Sequence, residues 1–272
     1  MAAPRPHPLL LLLLVALLAA SAPRRADGWG KEGHIMVCKI AEKYLSEEAA
    51  AAVQELLPES AGGELSTMCP WADTMRFRYH WASPLHYANT PNVCNFKSSR
   101  DCHNSRGQQG MCVVGAINNY TDQLYTYGDS PKSSYNLTES LMFLAHFVGD
   151  VHQPLHVGYE EDEGGNTIMV RWYRRKANLH HVWDVSIIDT VMKDFYNKSL
   201  DTMVGALQTN LTDGPTMSAT GRTAPTKGRP AQMTTRSRAY TCPATTPTRM
   251  WCRTLPSEMI ITSPATRSWR RD

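Results

Sequence analysis

The sequence lacks several features that would place it in a common protein class. Apart from one run near the N-terminus, no stretch approaches the ~20 apolar residues that a membrane-spanning helix needs, so no stable membrane association is expected. There are no internal repeats, which excludes a solenoid. Residues 29–212 carry 15 Lys and Arg against 21 Asp and Glu, so this segment is not by itself a basic nucleic-acid surface. The 272 residues suffice for one domain with a sizeable core.

The apolar run near the N-terminus is typical of a secretory signal peptide. Residues 9–20 read LLLLLLVALLAA, and Arg5 precedes them. Ala26 and Gly28 occupy the −3 and −1 positions of a cleavage site before Trp29. The sequence therefore predicts a signal peptide over 1–28 and a protein secreted through the endomembrane pathway. Cleavage would create an α-amine on Trp29 that can ligate a metal.

The cysteines and glycosylation sequons fit export. Export predicts disulfides among the seven cysteines, but spacing leaves their pairing open and the odd count leaves one thiol over. Four sequons predict N-glycosylation at Asn119, Asn136, Asn197 and Asn210.

Hydrophobic periodicity predicts a mainly α, single-domain protein with one small β-ribbon. Helical spacing is found over residues 34–45, 46–57, 71–79, 113–127, 136–153 and 180–200. The segment from Asn136 is almost wholly apolar and is predicted to be a buried helix that Pro154 ends. Residues 166–173 alternate like a strand, and residues 88–111 form a loop that disulfides pin.

Residues 213–272 differ in composition from the rest. They contain seven Pro, thirteen Thr and ten basic residues, with no sustained period of a helix or strand. This segment is predicted to be a disordered tail.

Histidines and aspartates recur at metal-ligand spacing. His146 and Asp150 lie four residues apart on the buried helix, and His180 and Asp184 repeat that spacing. A lone core histidine or a lone surface His/Asp pair is a common structural feature, but two such pairs in one chain, one of them within an apolar helix, favour a metal site over coincidence. With the remaining candidates they form a set of five histidines and three aspartates, His34, Asp73, His86, His146, Asp150, His156, His180 and Asp184. Imidazole and carboxylate without thiolate are ligands that suit zinc.

The motifs that contain these residues resemble the zinc-dependent, single-strand-preferring endonuclease and 3′-nucleotidase family of plants and fungi, in particular the plant bifunctional nucleases. In chain order they are WGKEGH at 29–34, WAD at 71–73 with Arg76, PLHY at 84–87, HFVGDVHQPLH at 146–156, GGN at 164–166 and LHHVWD at 179–184. The resemblance runs from Trp29 to about Asp213 and implies the helical nuclease fold shared with zinc phospholipase C.

The resemblance also implies three zinc ions. One would be held by Asp73, His86, His146 and Asp150. A second would be held by His156, His180 and Asp184. The third would be held by the amine and carbonyl of Trp29 with His34, sharing Asp150 as a bridge.

The implied reaction is hydrolysis of RNA and single-stranded DNA to 5′-phosphate products, with removal of 3′-phosphate from nucleotides, by a monomer. A zinc-activated water would attack phosphorus in line. Arg76, one helical turn after the catalytic ligand Asp73, would bind a phosphate oxygen. Tyr87 would stack on a base, which suits single strands, and Asn166 would hydrogen-bond near the site.

The sequence departs from the family at two places. Position 89 holds Asn where many relatives have an Asp that partners the equivalent of Arg76, so Asn89 is expected to affect catalysis through Arg76. After Asp213 the family continues with a Trp-Ser-Asp-Asp stretch and long C-terminal helices, whereas residues 214–225 here read GPTMSATGRTAP. A one-base shift turns codons for Ser-Asp-Asp into codons for Pro-Thr-Met. We hypothesise a shifted reading frame from about Pro215, which sequencing of the transcript would test.

Two alternatives stay open at this point. One is a zinc phospholipase C-like phosphodiesterase, because a related fold with a similar His/Asp cluster serves that class. The other is a non-enzymatic or unfolded product that retains the ligands but lacks the C-terminal helices.

Overall fold

Helices dominate the chain in a computed structural model, which describes residues 29–129 and 133–213. The predicted signal peptide and residues 214–272 of the predicted tail lie outside the described residues. Among the described residues the α-helices are α1 (Lys31–Glu42), α2 (Glu47–Leu56), α3 (Leu65–Met68), α4 (Trp71–Thr74), α5 (Ser98–Asp101), α6 (Val113–Leu124), α7 (Leu137–His152), α8 (Leu179–His181), α9 (Ile187–Phe195) and α10 (Leu200–Asp213).

Shorter elements connect these helices. The 3₁₀ segments are Glu59–Ala61, His80–His86 and Pro154–Val157, and a π-helical segment, Val182–Ser186, joins α8 to α9. Strands β1 (Met169–Trp172) and β2 (Arg175–Asn178) form an antiparallel hairpin in which Trp172 pairs with Arg175. This architecture confirms the mainly α fold with one small β-ribbon.

Helix α7 lies at the centre of the core, as its apolar sequence predicts. The Asn136 side chain caps its first turn by accepting a hydrogen bond from the Glu139 amide at 3.3 Å. Phe143 and Phe147 on α7 are buried against Tyr120 of α6, with ring centroids of Tyr120 and Phe143 5.0 Å apart. A helix packed on several sides can hold polar side chains away from water, as α7 does with His146 and Asp150.

Helix α1 is fixed to the core at two places. A disulfide joins Cys38 of α1 to Cys69, the residue that follows α3, and both pack against Leu141 of α7. On its other side α1 packs through Met36 against Ile188 of α9. These contacts fix the position of α1 between α7 and α9.

A second disulfide, Cys102–Cys112, lies where the sequence predicts a pinned loop. The loop also contains α5, which the sequence analysis did not predict. Cys94 is exposed and makes no disulfide with another cysteine of the described residues. Disulfides are thus confirmed, and the structure supplies the pairing that spacing left open.

Several predicted boundaries are wrong. The helix predicted over 71–79 ends at Thr74, whose hydroxyl donates to the Trp71 carbonyl at 2.7 Å and competes with the helical hydrogen bonds. The helix predicted over 180–200 is divided by the π-helical segment and ends at Phe195, before Asn197 and Lys198 adopt positive φ. The predicted strand 166–173 is only four residues, Met169–Trp172, because a turn occupies the preceding residues.

None of the helices within 29–129 and 133–213 is long and apolar enough to cross a membrane.

Candidate metal centre

Separate elements bring the eight predicted His and Asp side chains together around α7. Helix α7 contributes His146 and Asp150, which lie one turn apart and are fully buried. The other ligand-type residues come from α1, α4, α8, the 3₁₀ segments His80–His86 and Pro154–Val157, and the π-helical segment. They are His34, Asp73, His86, His156, His180 and Asp184.

Asp150 is the central residue of this cluster. Its Oδ2 lies 2.9 Å from Nδ1 of His86 and 3.3 Å from Nε2 of His146. Its Oδ1 lies 3.4 Å from Nε2 of His34 and 3.6 Å from Nδ1 of His156. One carboxylate therefore faces four histidines, which is the arrangement of a bridging ligand.

The side chains divide into three groups, each with ligand atoms within 4.8 Å of one another. The groups are His34, His146 and Asp150; Asp73, His86 and His146; and His156, His180 and Asp184. The third group has the same members as one of the zinc sets that the resemblance implies. The first two groups share His146, whereas the resemblance implies Asp150 as the shared ligand.

Backbone carbonyls orient three of the histidines. Nδ1 of His146 donates to the Cys69 carbonyl at 2.7 Å, and Nδ1 of His156 donates to the His86 carbonyl at 2.6 Å. Nδ1 of His180 donates to the carbonyl of Gly164 at 2.6 Å. Such bonds fix the tautomer and direct Nε2 toward a metal, as in known metal sites.

The contact between His156 and His180 shows why a cation fits. Their Nε2 atoms lie 3.1 Å apart, while both Nδ1 atoms are committed to carbonyls. Two neutral imidazoles in this arrangement would point lone pairs at each other, which is repulsive unless a proton or a metal lies between them. The Asp184 carboxylate is 3.3 Å from Nε2 of His180, so the position also has an anionic ligand.

Buried polar atoms without a hydrogen-bond partner among the described residues mark the same place. Five of these atoms belong to ligand-type side chains: both ring nitrogens of His34, Oδ1 of Asp73, Nε2 of His86 and Oδ1 of Asp150. Buried polar atoms are normally satisfied, because desolvation without a partner costs about 1–3 kcal/mol each. A group of such atoms from nitrogen and oxygen ligands fits divalent zinc.

Burial and charge shift the pKa values of the cluster in opposite directions. Burial lowers the pKa of His34 and of His86, and it lowers the pKa of His156 to about 4, so these rings are neutral at neutral pH, as metal ligation requires. Burial also opposes ionisation of Asp150, but the surrounding histidines hold the pKa of its carboxyl well below the usual range. In His146, the nearby Asp150 overcomes burial and raises the pKa to about 9.

The predicted catalytic and substrate-binding residues lie around this cluster. Nε of Arg76 is 3.5 Å from Oδ1 of Asp73, which confirms only that the two are adjacent. Tyr87 follows the buried His86 and is 42% exposed, so its ring is accessible. Asn89 lies between two backbone hydrogen bonds that tie residues 88–90 to the segment containing His156. The roles proposed for these residues remain predictions.

Asn166 is occupied in its own turn. Its Nδ2 donates to the Glu163 carbonyl at 2.8 Å and its Oδ1 accepts from Nδ2 of Asn178 at 3.2 Å. Its predicted contact with substrate would have to use the remaining hydrogen-bonding capacity of the amide.

Trp29 begins the described chain, next to Asp184 of the cluster. The amide of the next residue, Gly30, donates to the carbonyl of Asp184 at 2.8 Å, which ties the start of the described chain to the cluster. The Trp29 ring packs with Met36 and Ile188. Ligation by its amine remains a prediction. The four sequon asparagines, Asn119, Asn136, Asn197 and Asn210, are all exposed.

Two residues that shape the site, Gly149 and Gln153, are not predicted from the sequence. A Cβ added to Gly149 would lie 2.5 Å from Nδ1 of His34, so only glycine lets that ring approach α7. Gln153 is fully buried and its Nε2 donates to Oδ1 of Asp184. The signals were present, since Gly149 adjoins Asp150 and Gln153 is a polar residue between two ligands, but only the packing gives them a role.

Comparison with known proteins agrees with this geometry. The family model described as S1/P1 Nuclease matches residues 29–261. Endonuclease 2 of Arabidopsis thaliana is 57% identical over 208 residues, which cover 76% of this chain and 71% of that protein. Endonuclease 4 of Arabidopsis thaliana is 57% identical over 190 residues, which cover 68% of this chain and 64% of that protein.

Fungal proteins are similar as well. Nuclease P1 of Penicillium citrinum is 40% identical over 166 residues, which cover 57% of each chain. This chain therefore spans between 57% and 71% of the length of the three relatives. With the family model matching most of its length and the motifs meeting in one buried cluster, the chain belongs to the S1/P1 nuclease family, which confirms the family and the nuclease class predicted from the motifs.

Proposed function

We propose that this chain is a secreted, monomeric, zinc-dependent endonuclease. It hydrolyses phosphodiester bonds of RNA and single-stranded DNA to 5′-phosphate products, and it removes 3′-phosphate from nucleotides. The single observation that carries the proposal is the gathering of five histidines and three aspartates around α7. Four of the histidines face Asp150, and carbonyls orient three of the rings. Membership of the S1/P1 nuclease family supports the reaction class.

The eight side chains, with the amine and carbonyl of Trp29, would hold three zinc ions. Zinc supplies Lewis acidity there, lowering the pKa of a water molecule to roughly 7 and offsetting charge on phosphate oxygens. Asp150 would be shared by two of the positions, and the fact that its two oxygens face different histidines supports this. Gln153 holds Asp184, and the carbonyl of Gly164 holds His180, so the second position is formed before substrate arrives.

Arg76 would bind the phosphate. Its guanidinium lies beside Asp73 at the edge of the cluster, and its side chain is 16% exposed. A largely desolvated guanidinium interacts strongly with the charge that develops on phosphate oxygens during in-line attack.

Tyr87 would select single strands. Its exposed ring follows directly after His86, and a base can stack on it only when the base is not paired within a duplex. This side chain therefore gives a physical reason for a single-strand preference that is tolerant of sequence.

Four substrates test the proposal. The N-terminus of the secreted full chain is sequenced, and its zinc content is counted by mass spectrometry. The protein is then assayed on a single-stranded oligonucleotide, the same oligonucleotide as a duplex, a 3′-nucleotide and phosphatidylcholine. We expect Trp29 as the first residue, three zinc ions per chain, 5′-phosphate ends and faster cleavage of the single strand. Cleavage of the lipid alone would support the phospholipase alternative, and zinc binding with no hydrolysis would support the non-enzymatic one.

A further inference from the structure

The hairpin of β1 and β2 concentrates positive charge in an acidic part of the chain. Four of the six residues from Arg171 to Lys176 are cations, whereas acidic residues outnumber basic ones over 29–212. Arg174, Arg175 and Lys176 are exposed, and none of them forms an ion pair with a described residue. Arg171 has contacts of its own, so the inference rests on the other three.

The pairing of the strands makes this charge unfavourable for the hairpin itself. Arg171 is directly opposite Lys176, and Arg175 follows at the next position of the ladder. Like charges directly opposite one another destabilise an antiparallel pair. Arg174, Arg175 and Lys176 form no ion pair with a described residue, so stability of the hairpin does not explain these three residues, whereas binding of a polyanion does.

The hairpin presents its cations on a fixed support. Nε1 of Trp172 donates to Oγ1 of Thr190 on α9 at 3.1 Å, which anchors the end of β1. Tyr173 turns the chain with φ of 54°, so a two-residue loop places Arg174 at the tip. Fixed charges lose less conformational entropy when they bind than charges on a flexible loop.

The hairpin runs directly into the metal centre. β2 ends at Asn178, whose side chain accepts from the His181 amide at 2.7 Å and so caps α8. His180 lies two residues beyond β2, and Arg174 lies six residues before His180. At about 3.3 Å per residue, the tip is therefore no more than roughly 20 Å from that ligand.

We propose that the basic hairpin, residues 169–178, binds phosphates of the single-stranded substrate that lie outside the metal centre. This rests on the proposed nuclease function. A nucleic-acid strand held at the cluster necessarily continues beyond it with one negative charge per nucleotide, which is the ligand that three adjacent free cations match. Long substrates gain these contacts, and a dinucleotide, whose one internucleotide phosphate lies in the cluster, does not.

The test compares two triple variants of the zinc-loaded full chain. The hairpin variant is Arg174→Gln with Arg175→Gln and Lys176→Gln. The control removes equal charge from exposed cations on other elements, as Lys43→Gln with Arg106→Gln and Lys198→Gln. For a long oligothymidylate, the hairpin variant should raise KM roughly tenfold and reduce the slope of log KM against log salt by about 2, at about 0.7 per lost phosphate contact. Dinucleotide cleavage and the control variant should be unchanged.

A substrate with uncharged flanks makes the test sharper. An oligonucleotide with one phosphodiester between methylphosphonate flanks should have the same KM for the wild type and the hairpin variant. The proposal would be overturned if the hairpin variant raised KM on this substrate as much as on the charged one. It would also be overturned if the salt dependence of KM on the charged substrate were the same for the wild type and the variant. Lost binding to vesicles of anionic phospholipid, with unchanged oligonucleotide KM, would assign the hairpin to a membrane surface and also overturn it.

Failure of the proposed function is distinguishable from failure of this inference. If the wild type does not cleave a dinucleotide, the nuclease proposal fails. Fluorescence anisotropy of a labelled oligothymidylate still tests the hairpin in that case, with weaker binding by the hairpin variant expected and equal binding contradicting the inference.

Discussion

Asp150 is the residue on which the site depends most. It is fully buried, and four histidines surround its two oxygens. We expect Asp150→Asn to lower the zinc content and to reduce kcat/KM at least about 100-fold, because the amide keeps the shape but loses the charge that the proposed zinc ions would share. His152→Gln, on the same helix but exposed, is the control. Full zinc content with normal kcat/KM in Asp150→Asn would contradict the bridging role.

Asn89 tests the orientation of Arg76. Asn89→Asp adds a charge that the predicted partnership with the guanidinium can use, so the rate should change while the zinc content stays the same. Kinetics on an oligonucleotide and metal analysis of both forms check this. Identical kinetics would remove Asn89 from the site.

The pKa of His146 predicts proton release on zinc binding. Because the pKa of His146 is raised to about 9, its ring holds a proton at pH 7 in the metal-free protein, and zinc requires the neutral ring. The rings of His34, His86 and His156 have lowered pKa values and contribute little. Proton release from His146 should be complete near pH 7 and should disappear as the pH rises through about 9.

Calorimetry in buffers of different ionisation enthalpy measures this proton release. The raised pKa of His146 also affects the free energy of unfolding of the metal-free protein. It stabilises the fold at low pH, and this contribution is lost as the pH rises through about 9. Release that does not fall between pH 8 and 10 would contradict the assignment to His146.

At the scale of elements, the contact between α1 and α7 decides whether His34 reaches the cluster. We expect Gly149→Ala to displace the His34 ring, because the added Cβ would lie 2.5 Å from its Nδ1. The zinc count should fall by one, and kcat/KM should fall with it.

The matched control for this contact is Gly205→Ala. Gly205 is also helical, and a Cβ there would meet nothing within 4 Å, so it should keep zinc and stabilise α10 by up to about 1 kcal/mol. Zinc analysis and thermal melts of both variants separate helix propensity from the contact. Normal zinc in Gly149→Ala would show that α1 can move without loss of the site.

At the scale of the whole molecule, the described fold and zinc should depend on each other. Residues 29–212 have an excess of six negative charges, which three divalent ions would balance. Chelation should lower the Tm by at least about 10 °C, because bound ligand stabilises only the folded state and each kcal/mol shifts the Tm of a domain this size by about 2–4 °C. Zinc should restore the Tm, and superimposable melts with and without chelator would contradict the coupling.

Sequence patterns predicted much of this protein. The i,i+4 pairs on α7 and in Leu179–Asp184 follow from helical spacing, and a polar pair within an apolar helix requires burial with partners. The central helix, its Asn136 cap and the stop at Pro154 are equally local, so they were correct.

Other features depend on residues distant in the chain. The hydrophobic pattern gave no reason to end the 71–79 helix at Thr74. The Thr74 hydroxyl competes for a backbone carbonyl, and whether it ends the helix depends on tertiary packing that local sequence does not reveal. Nor could it reveal that Gly149 admits His34 or that Gln153 holds Asp184, since each contact joins residues from separate elements. The disulfide Cys38–Cys69 spans 31 residues and was open for the same reason.

Residue type and short-range spacing were sufficient to predict which residues can ligate a metal, which helices are buried and which family the motifs resemble. The tertiary structure alone shows that the eight side chains gather around α7, that carbonyls orient three of the histidine rings and that the basic hairpin is anchored on α9. Those are distances between elements, and they exist only once the apolar faces of α1, α6 and α7 have packed.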